Sequence, residues 1–251
     1  MKFKELHQQN KPLLIGNVWD ARSAKEAEKL SFKALGTSSS AMASMLGYSD
    51  GEEITYQEIE FLIKRIVQNT HLPLSVDLES GYSRKPEEIA DHIIRLTDLG
   101  VVGFNLEDSV VNGERDMLNG KVFSNILEET KNILDQSNRN PFLNIRTDAF
   151  LIGNPNALDE SVERIHDYEM AGADGIFIPG VEKESDISAL VNSTKLPINV
   201  MCMPSLPNFE ILTGLGVKRI SMGNFLFDHM YKSFSESLQE IIDLQSFKSI
   251  F

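Results

Sequence analysis

One joint recurs along the chain and constrains it more than any other feature. An amphipathic helical run stops, and an apolar stretch begins within a residue or two. Leu30-Ser31-Phe32-Lys33-Ala34-Leu35, Leu99-Gly100-Val101-Val102-Gly103-Phe104, Ala171-Gly172-Ala173-Asp174-Gly175-Ile176 and Leu215-Gly216-Val217-Lys218-Arg219-Ile220 share this layout. A glycine after a helical run is the left-handed helix stop, and the near-continuous apolar residues that follow begin a strand buried on both faces. The unit is helix, stop, parallel strand. Strands are expected at residues 13–18, 34–37, 74–76, 102–106, 142–145, 175–178, 198–201 and 220–222. Eight such units in a chain of 251 residues suit an α/β fold of the (β/α)8 TIM-barrel type. A doubly wound open sheet is disfavoured, because the first strand runs into Asn17-Val18-Trp19-Asp20-Ala21-Arg22 with no glycine-rich dinucleotide fingerprint. No Ser/Gly linker interrupts the pattern, so residues 1–251 are expected to form a single domain, with 225–251 as a C-terminal helical extension.

The formal net charge is −13, a field that repels phosphate backbones and anionic headgroups, so neither nucleic acid nor a membrane surface is an expected partner. The N-terminus has no apolar core of signal-peptide length, and no stretch reaches the roughly 20 apolar residues that cross a bilayer. A cytoplasmic location is expected. The single Cys202 cannot form an intrachain disulfide, and its setting at a strand end favours a small buried hydrophobe over a catalytic thiol.

In a barrel of this kind chemistry sits at the C-terminal strand ends. Here the ends read Thr37-Ser38-Ser39-Ser40, Asp77-Leu78-Glu79, Asn105-Leu106-Glu107-Asp108 and Arg146-Thr147-Asp148. No His and no Lys ends a strand, which removes support for zinc, a histidine base and a Schiff base. What remains is Asp77, Glu79 and Glu107, with Asp50 on the loop after the second strand, facing Arg146. Hard oxygen ligands without imidazole or thiolate suit Mg²⁺ or Mn²⁺. Each residue has a plainer use: a strand-end acid can cap the next helix, Arg146 can be a structural ion-pair partner, and residues 37–40 can be a turn or N-cap. Asp20 is expected to be a helix cap, and Trp19 either pocket wall or core.

Taken in order, Asn17-Val18-Trp19-Asp20-Ala21, Gly36-Thr37-Ser38-Ser39, Leu46-Gly47-Tyr48-Ser49-Asp50-Gly51, Val76-Asp77-Leu78-Glu79-Ser80-Gly81-Tyr82, Asn105-Leu106-Glu107-Asp108 and Asn144-Ile145-Arg146-Thr147-Asp148 resemble the isocitrate lyase/phosphoenolpyruvate mutase superfamily. The resemblance implies Mg²⁺, a small 2-oxo acid or its enolate as substrate, and making or breaking of the bond to C3. It implies that Asp77 and Glu107 bind the metal, that Glu79 stands at the second acid of an Asp-x-Asp pair, and that Asp50 matches the acid after the second strand. Trp19, Thr37, Ser38, Ser39 and Arg146 are the implied substrate-binding set; Arg146, Asp50 and Glu107 are the implied catalytic set.

Departures narrow the reaction. The loop after the fourth strand, residues 109–120, lacks the Lys-x-Cys-Gly-His of isocitrate and methylisocitrate lyases, so tricarboxylate cleavage is not expected. Ile178-Pro179-Gly180 lacks a Glu common in the lyases, and Met201-Cys202-Met203-Pro204 replaces Asn-x-Thr. A C–C lyase or oxaloacetate-type decarboxylase is favoured. A phosphoenolpyruvate/phosphonopyruvate mutase or phosphonopyruvate hydrolase is the alternative, and a non-catalytic metabolite binder is the rival from another class. The same loop, with Ser109, Asn112, Gly113, Glu114 and Arg115, is expected to be a mobile lid. The apolar spacing from Phe225 to Phe251 predicts an amphipathic terminal helix. A homo-oligomer is expected, a dimer or a tetramer built as a dimer of dimers, with that helix exchanged between subunits as in related members.

Overall fold

The computed structural model describes residues 2–251. Its main sheet follows the order β1 (Leu13–Leu14), β11 (Arg219–Ser221), β10 (Ile198–Met201), β9 (Gly175–Ile178), β8 (Phe142–Arg146), β5 (Gly103–Glu107), β4 (Leu74–Asp77), β3 (Leu35–Thr37) and β2 (Gly16–Val18). Every neighbouring pair is parallel. The two ends of this order are consecutive in the chain, so the sheet is a ring. Ile15 N donates to Ile220 O at 2.9 Å and Gly16 N donates to Ala34 O at 3.1 Å. The strand expected at 13–18 is therefore split where the backbone changes partner, and the open-sheet alternative falls.

Helices α2 (Ala21–Lys29), α3 (Ser39–Leu46), α4 (Tyr56–Val67), α5 (Pro86–Leu99), α6 (Gly120–Gln136), α7 (Ala157–Met170), α8 (Glu184–Asn192) and α9 (Phe209–Leu215) surround the ring. Their inward stripes recur at helical spacing: Ile59, Ile63 and Ile66 on α4 and Ile89, Ile93 and Leu96 on α5 are all buried against the strands. Asp20 caps α2 by accepting from Ser23 N at 2.7 Å, as expected. Gly100 and Gly216 end α5 and α9 with φ of 110° and 90°. Ser31 takes the same left-handed region at φ 64° with a Cβ, a strained version of the same stop.

The N-terminal mouth is closed by α1 (Phe3–Leu6), whose Phe3 and Leu6 pack with Leu13, Ile15, Ala34 and Phe142. His7 stacks on Phe142 with ring centroids 4.3 Å apart, and Nδ1 contacts the Phe3 carbonyl, which fixes the ring proton on that nitrogen. Burial pushes its pKa down to about 3. The chemistry therefore has one open end, the C-terminal one.

Helix α10 (Phe225–Leu244) leaves the barrel surface. Phe227 is its one buried residue, while Phe225, Leu226, Met230, Tyr231, Phe234, Leu238, Ile242 and Leu244 are exposed. A final barrel helix covering its own strand would show the reverse. Among the described residues no helix is long and apolar enough to cross a membrane. Cys202 corrects the expectation of a buried thiol: it is exposed, because β10 ends at Met201 and Cys202 is the first residue beyond the sheet.

Candidate active site at the C-terminal mouth

Asp77 is the last residue of β4, and neighbours on β3 and α3 fix it. Its backbone N–H donates to Thr37 Oγ1 at 2.9 Å, and Ser39 Oγ donates to its Oδ2 at 2.8 Å. Ser38 is the N-cap of α3, accepting from Ala41 N at 3.3 Å while its own N–H bonds Val18 O at 3.1 Å. Of the three hydroxyls expected to face a substrate, one caps a helix and two hold Asp77.

Glu107 ends β5 and Arg146 ends β8, and the two form an ion pair of 2.8 Å in which Glu107 is buried and Arg146 mostly so. Arg146 also grips Asp148 through Nε at 2.6 Å and Nη2 at 3.0 Å. Two of its five N–H donors are thus hydrogen-bonded, both to Asp148, while Nη1 meets Glu107 as an ion pair. Asp148, completely buried, was visible in the sequence only as part of a strand end; its role as the second anchor of Arg146 needed the fold.

The segment after β5 is a β-hairpin, β6 (Ser109–Asn112) and β7 (Glu114–Met117), with Gly113 at its tip in the left-handed region. Strands of four residues, one with adjacent valines and one carrying three charges in its sequence neighbourhood, present too short an alternation to read beforehand. The hairpin delivers Arg115 into the acids. Its guanidinium meets Glu107, lies 3.1 Å from Asp148 Oδ2 and 2.9 Å from Asp50 Oδ2, and contacts Ser109 Oγ at 2.9 Å. Ser109 in turn donates to Asp148 Oδ2 at 2.5 Å. Asn112, Gly113 and Glu114 stay at the tip, away from this network.

Glu79 lies two residues past Asp77, in the left-handed region at φ 49°, and is buried. Tyr82 donates to its Oε1 at 3.0 Å. Burial pushes its pKa up to about 8, and Asp50, Glu107 and Asp77 add to the rise. Glu107 is pushed up to about 7, again by burial first, although Arg146 pulls it down. The cluster thus carries more negative charge than its two arginines offset. The structure places Trp19 elsewhere: it meets Phe227 edge-on at 5.1 Å and lines a cavity of about 460 Å³ with Met45, Met222 and Leu226.

The donor set can be tested against a divalent cation. All of its ligating groups are carboxylate oxygens, but among the described residues no three His, Cys, Asp or Glu side chains form a cage able to hold an ion directly. That combination fits a cation kept mostly in its own water shell and touched by one or two acids, as Mg²⁺ is, and not a dehydrated cage. A pH dependence follows. Below the ordinary carboxylate value near 4.5, Glu79 and Glu107 are protonated whether the chain is folded or not; above it the unfolded chain ionises first. In chelator, thermal stability should fall as pH rises from about 6.5, above which His7 is neutral in both the folded and the unfolded chain, to 8, and excess MgCl2 should restore it at pH 8. Flat melting curves across that window would contradict the charge excess.

A ring of parallel strands with two arginines set among acids at its C-terminal mouth is a TIM-barrel-type architecture with a candidate active site where such barrels carry theirs. The family model described as phosphoenolpyruvate phosphomutase matches residues 3–242, so the chain belongs to that family, within the phosphoenolpyruvate mutase/isocitrate lyase superfamily. It is 30% identical over 225 residues to an uncharacterised protein of Mycobacterium tuberculosis, covering 89% of this chain and 82% of that one. An oxaloacetate decarboxylase of Rhodopseudomonas palustris is 28% identical over 218 residues, 83% of this chain and 72% of the relative. Among solved structures, a candidate phosphonomutase from Burkholderia cenocepacia superposes with a TM-score of 0.89 at 34% identity, covering 94% and 97% of the two chains. Oxaloacetate acetylhydrolase, at 20% identity and a TM-score of 0.87, shares the fold, with 98% of this chain and 87% of that one covered. The protein is therefore an enzyme, against the non-catalytic binder weighed above.

Proposed function

We propose that this enzyme uses Mg²⁺, with Mn²⁺ as a substitute, to act on a small 2-oxo acid by breaking the bond at C3, as a C–C lyase or oxaloacetate-type decarboxylase. The observation that carries this reading is the convergence of Arg146 with Asp77 and Glu107 on one mouth, in contact with neither imidazole nor thiol among the described residues. Asp77 and Glu107 would hold the cation, with Glu79 reaching it through water. When bound by these acids, the cation would supply Lewis-acid stabilisation of the negative charge that develops as the C3 bond breaks. The N–H donors of Arg146 not taken by Asp148 bind the C1 carboxylate and orient it. Decarboxylation fits this equipment because the electron pair left at C3 needs a sink at C2, and the proton that returns to C3 can come from water.

A second reading, C–P chemistry by a mutase or hydrolase, draws support from the likeness to the candidate phosphonomutase. The test is a screen of oxaloacetate, phosphonopyruvate and branched malate-type acids with Mg²⁺ and with chelator, following pyruvate, glyoxylate, phosphate and phosphoenolpyruvate. Metal-dependent turnover of oxaloacetate or a malate-type acid supports the first reading, turnover of phosphonopyruvate alone supports the second, and no turnover of any overturns both.

The hairpin is the proposed lid. Arg115 holds it onto Asp50, Glu107 and Asp148, so loading of the site by a cation and a substrate has to redistribute those ion pairs. Protease nicking between Ser109 and Gly120 should slow severalfold when Mg²⁺ and oxalate are added together. Equal rates with and without them would remove the lid role.

The exposed apolar row on α10 is proposed to pack against a second copy of the chain, by exchange of α10, giving a dimer or a dimer of dimers. The row continues through Phe247 and Ile250 to Phe251, all exposed, which is a larger apolar face than a monomer leaves in water. Deleting residues after Leu238 should cost association and thermal stability together. A monodisperse monomer of 28.2 kDa by light scattering of the full chain at micromolar concentration would exclude this.

A further inference from the structure

Barrels of this kind are filled by layers of branched apolar side chains. Beneath the acids of this one the interior is polar. Asn144 Nδ2 on β8 lies 2.9 Å from Asn105 Oδ1 on β5 and 3.1 Å from Asn199 Oδ1 on β10, and Asn199 Nδ2 reaches Ser221 Oγ on β11 at 3.1 Å. Because β8 and β10 flank β9, the Asn144–Asn199 bond bridges the inner face of β9. Arg219 on β11 crosses the lumen itself. Its Nη2 lies 3.4 Å from Asn105 Oδ1 and 3.5 Å from Ser75 Oγ, on strands at the far side of the ring.

Arg219 is 2% exposed and is one of the largest fully buried side chains. Its Nε and Nη1 have no hydrogen-bond partner among the described residues. Burial pulls its pKa down to about 10, and Asp77 is the charge that pulls it back up, so the group stays cationic at neutral pH. A buried guanidinium without a carboxylate in contact is expensive, and replacing buried charge by well-packed apolar volume is often neutral or stabilising. Stability therefore does not account for an arginine here.

The polar layer leads to one place at the mouth. Asn105, which accepts from Arg219 and Asn144 at Oδ1, turns its Nδ2 toward Asp77 Oδ1 at 3.4 Å. Ser39 holds the other oxygen of the same carboxylate. We propose that Arg219 is a positioning residue: acting through Asn105 from inside the barrel, it fixes the orientation in which the Asp77 carboxylate meets a divalent cation. The inference rests on the reading of Asp77 as a cation-binding acid. It adds a residue that touches neither substrate nor metal and lies at the start of its strand, below the mouth where catalytic groups are sought.

The test is calorimetric titration of the full chain with MgCl2, alongside thermal melts, for wild type, Arg219→Met, Arg219→Lys, Asn105→Ala and the double variant Arg219→Met/Asn105→Ala. Arg219→Met should melt at or above the wild type yet bind Mg²⁺ about 10-fold more weakly, the scale on which partners of metal ligands act. Arg219→Lys, which keeps a long cationic side chain, should recover part of that loss. Asn105→Ala should weaken binding to a similar degree, and the double variant should be no weaker than the weaker single one, because both cut one path. Wild-type affinity in Arg219→Met, or losses that multiply in the double variant, would overturn the proposal. Should Arg219→Met melt far below the wild type, Arg219→Lys and Asn105→Ala decide in its place: weakened binding in Asn105→Ala with partial retention in Arg219→Lys supports the proposal, and unchanged binding in Asn105→Ala overturns it. A wild type that binds neither Mg²⁺ nor Mn²⁺ is a different failure, since it removes the metal reading itself and this inference with it.

Discussion

Asp77→Ala should fold like the wild type, lose measurable Mg²⁺ affinity and lose turnover by about 10²-fold or more, the scale on which single electrostatic stabilisers of a developing oxyanion act. The fold should survive because, among the described residues, the carboxylate forms no ion pair. Its contacts are the Ser39 hydroxyl and the Asn105 amide, and its backbone N–H bond to Thr37 does not need the side chain. Arg146→Lys is the companion. It keeps the charge but replaces a fork that spans Glu107 and Asp148 with one ammonium, so a comparable loss of turnover is expected with intact Mg²⁺ binding. Unchanged Mg²⁺ affinity in Asp77→Ala would refute the metal role, and wild-type kinetics in Arg146→Lys would refute the anion role.

The largest stability effect should come from Asp108, directly behind the site. It is completely buried, and its Oδ2 accepts from Arg164 Nη1 at 3.0 Å and from Tyr168 Oη at 2.7 Å. Its Oδ1 lies 3.3 Å from the backbone N–H of Asp148, tying this cluster to the anchor of Arg146. Burial raises its pKa while Arg164 pulls it down. Asp108→Ala leaves the Arg164 guanidinium buried with Glu160 as its remaining ion partner, at an expected cost of about 3–5 kcal/mol. In a chain of this size that is a fall in Tm on the order of 10 °C. Asp108→Leu/Arg164→Met, which removes both charges, should recover most of it. A loss in the double variant as large as in Asp108→Ala would place the cost in packing and not in the stranded charge.

The positions of the proposed metal and anion residues at strand ends were legible because the signal of a strand end is local. Asp77, Glu107 and Arg146 each terminate an apolar run, and a strand's side-chain period and end are properties of a few consecutive residues. The helix stops at Gly100 and Gly216 and the Asp20 cap were legible for the same reason, since their geometry is decided within one turn. The terminal helix was legible as an amphipathic extension beyond the barrel, because its apolar residues run to the last position, but what covers its apolar face is not stated by periodicity.

What stayed hidden depends on pairs far apart in sequence. Arg115 is 8 residues from Glu107, 33 from Asp148 and 65 from Asp50, and only closure of the ring brings these groups onto one guanidinium. The split of the first strand at Ile15 exists because the backbone there must serve Ile220 on one side while the next residue serves Ala34 on the other. Arg219 reads in sequence as a polar residue opening a strand; it becomes a lumen-spanning cation only when β11 stands opposite β4 and β5. The sequence by itself thus determined the elements, their parallel order and the residue types at the mouth, because propensity, capping and periodicity act over a few residues. The tertiary structure alone decided which of those groups share a charge, a hydrogen bond or a water-free interior, because Coulomb energy and desolvation depend on distance in space and not along the chain.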